Sequence, residues 1–233
     1  MKVFAVVVSM AVPLGAAMGL ALLPASISYA QAEVKSVPLP SPTPSNAPQQ
    51  PSTESIAWVQ KHAASWPEKT RKLAAQLITK YGVPATSTDR EITWYGNGPW
   101  KRTTLFKEEL QHNFANAHKD VLEQAVNYTV PVDKLAPLAQ FNGSIVVNRT
   151  RGEMSSLSDS EDTNFLALNV ADELIRGERN VEQARTYFAQ IIRAKMIHEP
   201  EKDLQALKFK PGAMTADPDE LAPLIRHMGG AEK

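Results

Sequence analysis

The segment from residue 110 to residue 120 carries His112, His118 and Asp120 among side chains that are mostly small amides and alanines. Imidazole and carboxylate groups hold transition metals and transfer protons near neutral pH. They do so only when they converge on one point. Two histidines six residues apart, with an acid two further on, converge only if the segment folds back on itself. The spacing matches no standard metal motif, so no metal ion and no cofactor is assigned from it. The segment reads as a loop. Its histidines are either surface or hydrogen-bonded groups, or the acid–base set of a metal-assisted, hydrolase-like enzyme.

A second candidate set is Trp94, Tyr95, Trp100 and Arg102, with Lys101 beside them. On an exposed hairpin, rings next to cations make a platform for a glycan, a small ligand or a membrane surface. In a buried one, the rings are core and the cations are its rim. A third set, Glu153, Asp159, Glu161 and Asp162, could take a hard cation through oxygen ligands. It lacks the glycine and alternating acids of a calcium loop, and carboxylates at a helix start also complement the helix dipole. Other chemistries find no support: there is no Gly-x-Ser-x-Gly, no cysteine, no phosphate loop and no dinucleotide fingerprint. Glycosylation sequons begin at Asn127, Asn142 and Asn148, and they read as coincidence.

These side chains need a scaffold, and its elements are partly visible. Ser65-Trp66-Pro67-Glu68 reads as a capping box, with Leu73, Leu77, Ile78 and Tyr81 following at helical spacing up to Gly82. A shorter helical turn through Ile56, Trp58 and Val59 precedes it. Glu91 to Tyr95 and Trp100 to Lys107 are rich in β-branched and aromatic residues around the turn Gly96-Asn97-Gly98-Pro99, which predicts a hairpin. Residues 120–130 fit either a helix capped by Asp120 and Glu123 or a strand with Leu122, Val126, Tyr128 and Val130 alternating, and the ending Asn127 to Pro131 favours the strand. Residues 132–141 read as a short helix, and residues 144–150 as a further strand that could continue past Gly152. One well-buried helix starts at the acidic residues 159–162 and stops at Gly177. A second starts near Asn180 and carries Val181, Ala184, Phe188, Ile191 and Ile192 on one face, for a core or for an interface between copies of the chain. The expected class is α+β, an antiparallel sheet of about four strands with helices packed on one side.

At the N-terminus Lys2 is the only early charge, and residues 3–23 carry none. Ser28-Tyr29-Ala30 then offers a cleavage site, so residues 1–30 read as a secretory signal. A retained segment would instead anchor the chain in a membrane, since the uncharged run approaches the roughly 20 residues of a spanning helix. Residues 31–55, with prolines at 38, 40, 42, 44, 48 and 51, read as a disordered, extended spacer. Residues 56–198 are enough for one domain, and residues 199–233 read as a peripheral tail with a short helix over residues 218–228. Twenty-five Lys and Arg balance 25 Asp and Glu, so nothing favours a nucleic-acid partner.

The strings Trp94-Tyr95-Gly96-Asn97-Gly98-Pro99-Trp100-Lys101-Arg102, His112-Asn113-Phe114, His118-Lys119-Asp120-Val121-Leu122-Glu123-Gln124, Gly152-Glu153-Met154-Ser155 and Asn164-Phe165-Leu166-Ala167-Leu168-Asn169 together resemble an uncharacterised family of bacterial exported proteins, over roughly residues 90–190. The resemblance implies an envelope-facing protein with one compact domain. It carries no activity. The function expected is therefore a periplasmic or secreted binding or accessory module on a Pro-rich tether, with an envelope protein, a glycan or a small ligand as partner.

Overall fold

The computed structural model describes residues 53, 57, 61–199 and 201–212. The signal segment, almost all of the spacer, the turn through Ile56, Trp58 and Val59, and the helix over residues 218–228 lie outside the described residues. Helix α1 (Glu68–Tyr81) is followed by β1 (Thr86–Ser87), β2 (Glu91–Asn97), β3 (Trp100–His112) and β4 (His118–Asn127). A 3-10 turn (Val132–Lys134) leads into α2 (Leu135–Phe141), then come β5 (Ile145–Asn148), β6 (Glu153–Ser158), α3 (Glu161–Ile175) and α4 (Val181–Met196).

The strands form one antiparallel sheet in the order β1-β2-β3-β4-β6-β5, and the class is α+β. Six strands replace the expected four. The two additions are β1, which pairs Thr86 with Thr93 and Ser87 with Ile92, and β6, which turns back on β5 instead of extending it. Gly152, at φ 57°, makes that turn, and its amide bonds to Arg149 O.

Two apolar clusters hold the layers together. Ile92, Leu105 and Leu122 are aligned across β2, β3 and β4, and with Trp94 they pack on Ala74, Leu77 and Ile78 of α1. The larger cluster joins α3, Leu138 and Phe141 of α2, and Ala184, Phe188, Ile191 and Ile192 of α4 to Val126, Ile145 and Met154. Asn164 of α3 bonds to Gln124, two residues from Leu122 and so on the same face of β4. Helices α1 and α3 therefore meet one face of the sheet.

Helix ends show where local sequence was sufficient. Asn180 and Gln183 form the capping box of α4, each side chain bonded to the other's backbone amide. Ser65 does not cap α1. The first helical carbonyl belongs to Pro67, which places Ser65 too far out, and Ser65 Oγ accepts from Lys107 Nζ at 3.1 Å. In the β2–β3 turn Gly98 stands at φ 67°, where a Cβ would also come within 3.3 Å of the Tyr81 ring.

Residues 201–212 are not a peripheral tail. Asn169, fully buried in α3, donates to Asp203 O and Ala206 O and accepts from the Lys208 amide at 2.7 Å. A buried carboxamide needs all of these partners, and the segment supplies them. Leu204 joins the core, Phe209 meets Tyr128 edge-on, and Gly212 N bonds to Asn127 O. The domain thus runs to at least residue 212, beyond the expected limit at 198.

Candidate metal centre

Strand β3 does not stop at Lys107. It passes a register shift between Leu105 and Leu110 and continues to His112, while β4 begins at His118. The segment expected to be a loop is the closed end of a hairpin, with His112 paired directly to His118 and Leu110 to Asp120. Directly opposed residues share a face, as do residues two apart on one strand, so His112, His118 and Asp120 stand together. Phe114 holds the turn down, stacked on Phe188 at 4.8 Å and edge-on to Phe141 at 5.9 Å between ring centroids. Within the turn Ala115 takes φ 62°, a left-handed conformation that costs about 1–3 kcal/mol outside glycine.

The ligand atoms of the three residues all lie within 4.8 Å of one another. His112 Nδ1 is 2.9 Å from Asp120 Oδ2, and His118 Nε2 is 2.9 Å from Asp120 Oδ1. Nitrogen and oxygen ligands at about 2.1 Å from a shared ion stand roughly 3.0–3.4 Å apart, so only small side-chain movements separate this cluster from a coordination shell.

Proton positions sharpen the point. His118 Nδ1 is 2.9 Å from Asn116 O, a carbonyl that can only accept, so Nδ1 carries a hydrogen. In the neutral ring, Nε2 is then a bare lone pair turned toward a carboxylate oxygen. A positive charge must intervene, as a second ring proton or as a metal ion. The contact with Asp120 raises the His118 pKa, against the opposing effect of burial. Yet Asp120 Oδ1 is buried and has no donor aligned with it. Asp120 is only 3% exposed, and a buried carboxylate oxygen without a partner is costly. A cation between Nε2 and Oδ1 satisfies both atoms. The bond from His118 Nδ1 to a backbone carbonyl is also the outer contact that fixes the tautomer of a metal-ligating histidine.

Ser144, just before β5, completes the cluster. Its hydroxyl donates to Asp120 Oδ2 at 3.0 Å and lies 3.3 Å from His112 Nδ1. Ser144, His112 and Asp120 have the residue types of a catalytic triad but not its arrangement. In a triad the acid and the serine occupy opposite ring nitrogens, whereas both meet Nδ1 here. Ser144 orients Asp120 and is not an activated nucleophile. Nothing in the sequence marked it, because it lies 24 residues from Asp120 and is joined to it only by the fold.

Beyond His118 a cavity of about 240 Å³ opens between the start of α3 and the end of α4. Asp159, Thr163 and Lys195 line it together with Phe188, Ile192 and Met196. Asp159 accepts from the Ser160 and Thr163 hydroxyls at 3.0 Å. Burial alone would raise its pKa, but the charge of Lys195 and these donors hold it below the usual carboxylate range.

The other candidate sets do not converge. Trp94 and Trp100 are buried, with Nε1 of the first donating to Gly82 O and Nε1 of the second to Glu161 at 2.6 Å, so these rings are core. Tyr95 is exposed, and Arg102 pairs with Glu123 and Glu153. No aromatic platform exists on this hairpin. The acidic set is dispersed: Glu153 meets Lys101, Arg102 and Arg151, and Asp159 meets Ser160 and Thr163. Glu161 accepts from Lys80, Tyr81, Trp100 and Gln124. The apolar face of α4 packs into the core, with Phe188 and Ile192 also edging the cavity.

Compared with known protein families, curated proteins and solved structures, the chain matches none. The functional reading therefore rests on the chemistry of the site.

Proposed function

We propose that the protein is an exported, envelope-facing binding domain whose His112, His118 and Asp120 hold a first-row transition-metal ion, zinc foremost. The observation that carries this reading is the convergence of His112 Nδ1 and His118 Nε2 on the buried Asp120 carboxylate, each at 2.9 Å, with His118 Nδ1 committed to Asn116 O. Two imidazoles and one carboxylate suit zinc and its neighbours, whereas calcium and magnesium prefer oxygen alone. Export is supported by the uncharged run and the Ser28-Tyr29-Ala30 site. Among the described residues no helix is long and apolar enough to cross a membrane.

The cavity beside His118 favours a second reading, a metal-assisted hydrolase, because an ion held by three side chains keeps a position open for water or substrate. Elemental analysis of protein purified from its own compartment, followed by zinc titration after chelation, tests the first reading. One equivalent of metal, lost in His118→Ala and Asp120→Ala, is expected. A wild-type chain that binds zinc no better than these variants overturns it.

A further inference from the structure

The cavity beside His118 has a composition that selects among ligands. Helix α4 presents Phe188, Ile192, Lys195 and Met196 to it, at i, i+4, i+7 and i+8, so one helix face supplies both an apolar wall and a cation. Lys195 Nζ is fixed by Ser160 Oγ at 2.8 Å and Thr163 Oγ1 at 3.0 Å. An ammonium has three hydrogens, and these two contacts leave one, with the exposed Asp162 carboxylate 3.9 Å away and outside hydrogen-bond distance. Asp159 shares the same hydroxyls and stays anionic beside it. The chain leaves α4 through His198, whose φ of 61° is left-handed and which also lines the cavity. That conformation closes α4, with His198 N bonded to Lys195 O and Glu199 N to Ala194 O.

The charges give the sign of the ligand. A divalent ion, Lys195 and Lys69 outweigh Asp120, Asp159 and Asp162 by one positive charge, Lys69 standing 3.6 Å from Asp159 and Asp162 3.9 Å from Lys195. The volume, about 240 Å³, admits a small molecule and not a polymer. We infer that this cavity binds a small organic acid, its carboxylate reaching between the metal and Lys195 and its apolar body lying on Phe188, Ile192 and Met196. The inference rests on the metal reading above and adds the class of ligand that the ion would take.

Cobalt(II) in place of zinc gives a visible spectrum that reports on both. The probes are benzoate, acetate and inorganic phosphate, added to the cobalt-loaded, signal-free chain. Benzoate is expected to change the cobalt bands and to bind more tightly than acetate or phosphate. Lys195→Ala should keep the cobalt spectrum, showing an intact fold and centre, while weakening benzoate about tenfold or more. A cobalt spectrum that benzoate leaves unchanged overturns the inference alone. So does phosphate binding as tightly as benzoate, or benzoate binding undiminished in Lys195→Ala. The failure of any cobalt spectrum to form removes the metal reading, and this inference with it.

Discussion

His112 and His118 are direct cross-strand partners at the closed end of the β3–β4 hairpin, and Asp120 lies two residues further along the same face. The distance between the histidines is thus set by strand register, not by the length of chain between them. His112 is the more accessible of the two, with a side chain 22% exposed. His112→Ala removes one contact of the buried Asp120 carboxylate, so the metal-free fold should lose about 1–3 kcal/mol. Zinc affinity should fall by more than the roughly 10–100-fold that the loss of an outer contact costs. Calorimetric zinc titration beside a thermal melt separates the two effects, and undiminished affinity would remove His112 from the centre.

Ser144 gives a graded test of the same geometry. It touches Asp120 and His112 and orients the carboxylate. Ser144→Ala should retain one zinc per chain with affinity reduced about tenfold, since only an outer contact is lost. Zinc competition against a chromogenic chelator measures this. Complete loss of binding would make Ser144 a ligand in its own right.

Asp120 should show opposite effects with and without metal. In the metal-free chain its buried carboxylate has an oxygen with no aligned donor, so Asp120→Asn should cost little stability or add about 1 kcal/mol. Zinc at a hundred times its dissociation constant should stabilise wild type by about 2.7 kcal/mol and the variant hardly at all. Urea unfolding with zinc or with chelator reads both. A variant several kcal/mol less stable under chelator would identify Asp120 as the partner of a protonated His118 instead.

Residue patterns made some of this legible and concealed the rest. The β2–β3 turn followed from Gly96 to Pro99, and the start of α4 from Asn180 and Gln183, because turns and caps are local chemistry. Strand β6 was hidden because Ser155, Ser156 and Ser158 are buried in the sheet interior, where a serine-rich run does not announce a strand. The burial of Trp94 and Trp100 was undecidable from type alone, since the same rings serve platforms and cores. For the candidate site, His112, His118 and Asp120 were identified as residues, but their convergence depended on β3 running on through Lys107-Glu108-Glu109, across a register shift. Asn116 and Ser144 were invisible, one contributing a backbone carbonyl and the other arriving from a distant turn.

Asn169 ties the C-terminal segment to α3 through two donated bonds and one accepted bond. Asn169→Ala leaves the carbonyls of Asp203 and Ala206 and the amide of Lys208 without these partners. It should cost about 2–3 kcal/mol. Hydrogen exchange should show the loss of protection concentrated in residues 201–212, while the hairpin around His112 and His118 keeps its own. Uniform loss across the domain would mean that the segment is not a separate clasp.

Glu161 carries the clearest pH dependence. Burial alone would raise its pKa, but hydrogen bonds from Lys80, Tyr81 and Trp100 outweigh burial and hold it below the ordinary 4.5. A carboxyl lowered in the folded state contributes stability that is full above its unfolded pKa and is lost as pH falls through the folded one. The wild-type chain should therefore lose this contribution below about pH 4.5. Glu161→Gln keeps the shape, removes the charge and turns an amide toward donors, which should cost about 3 kcal/mol at pH 7. Lowered carboxyls elsewhere, Glu68, Glu153 and Asp159, are present in both proteins and cancel in the comparison. Urea unfolding across the acid range should find the gap between the two proteins narrowing below pH 4.5; a constant gap would mean that Glu161 acts through shape alone.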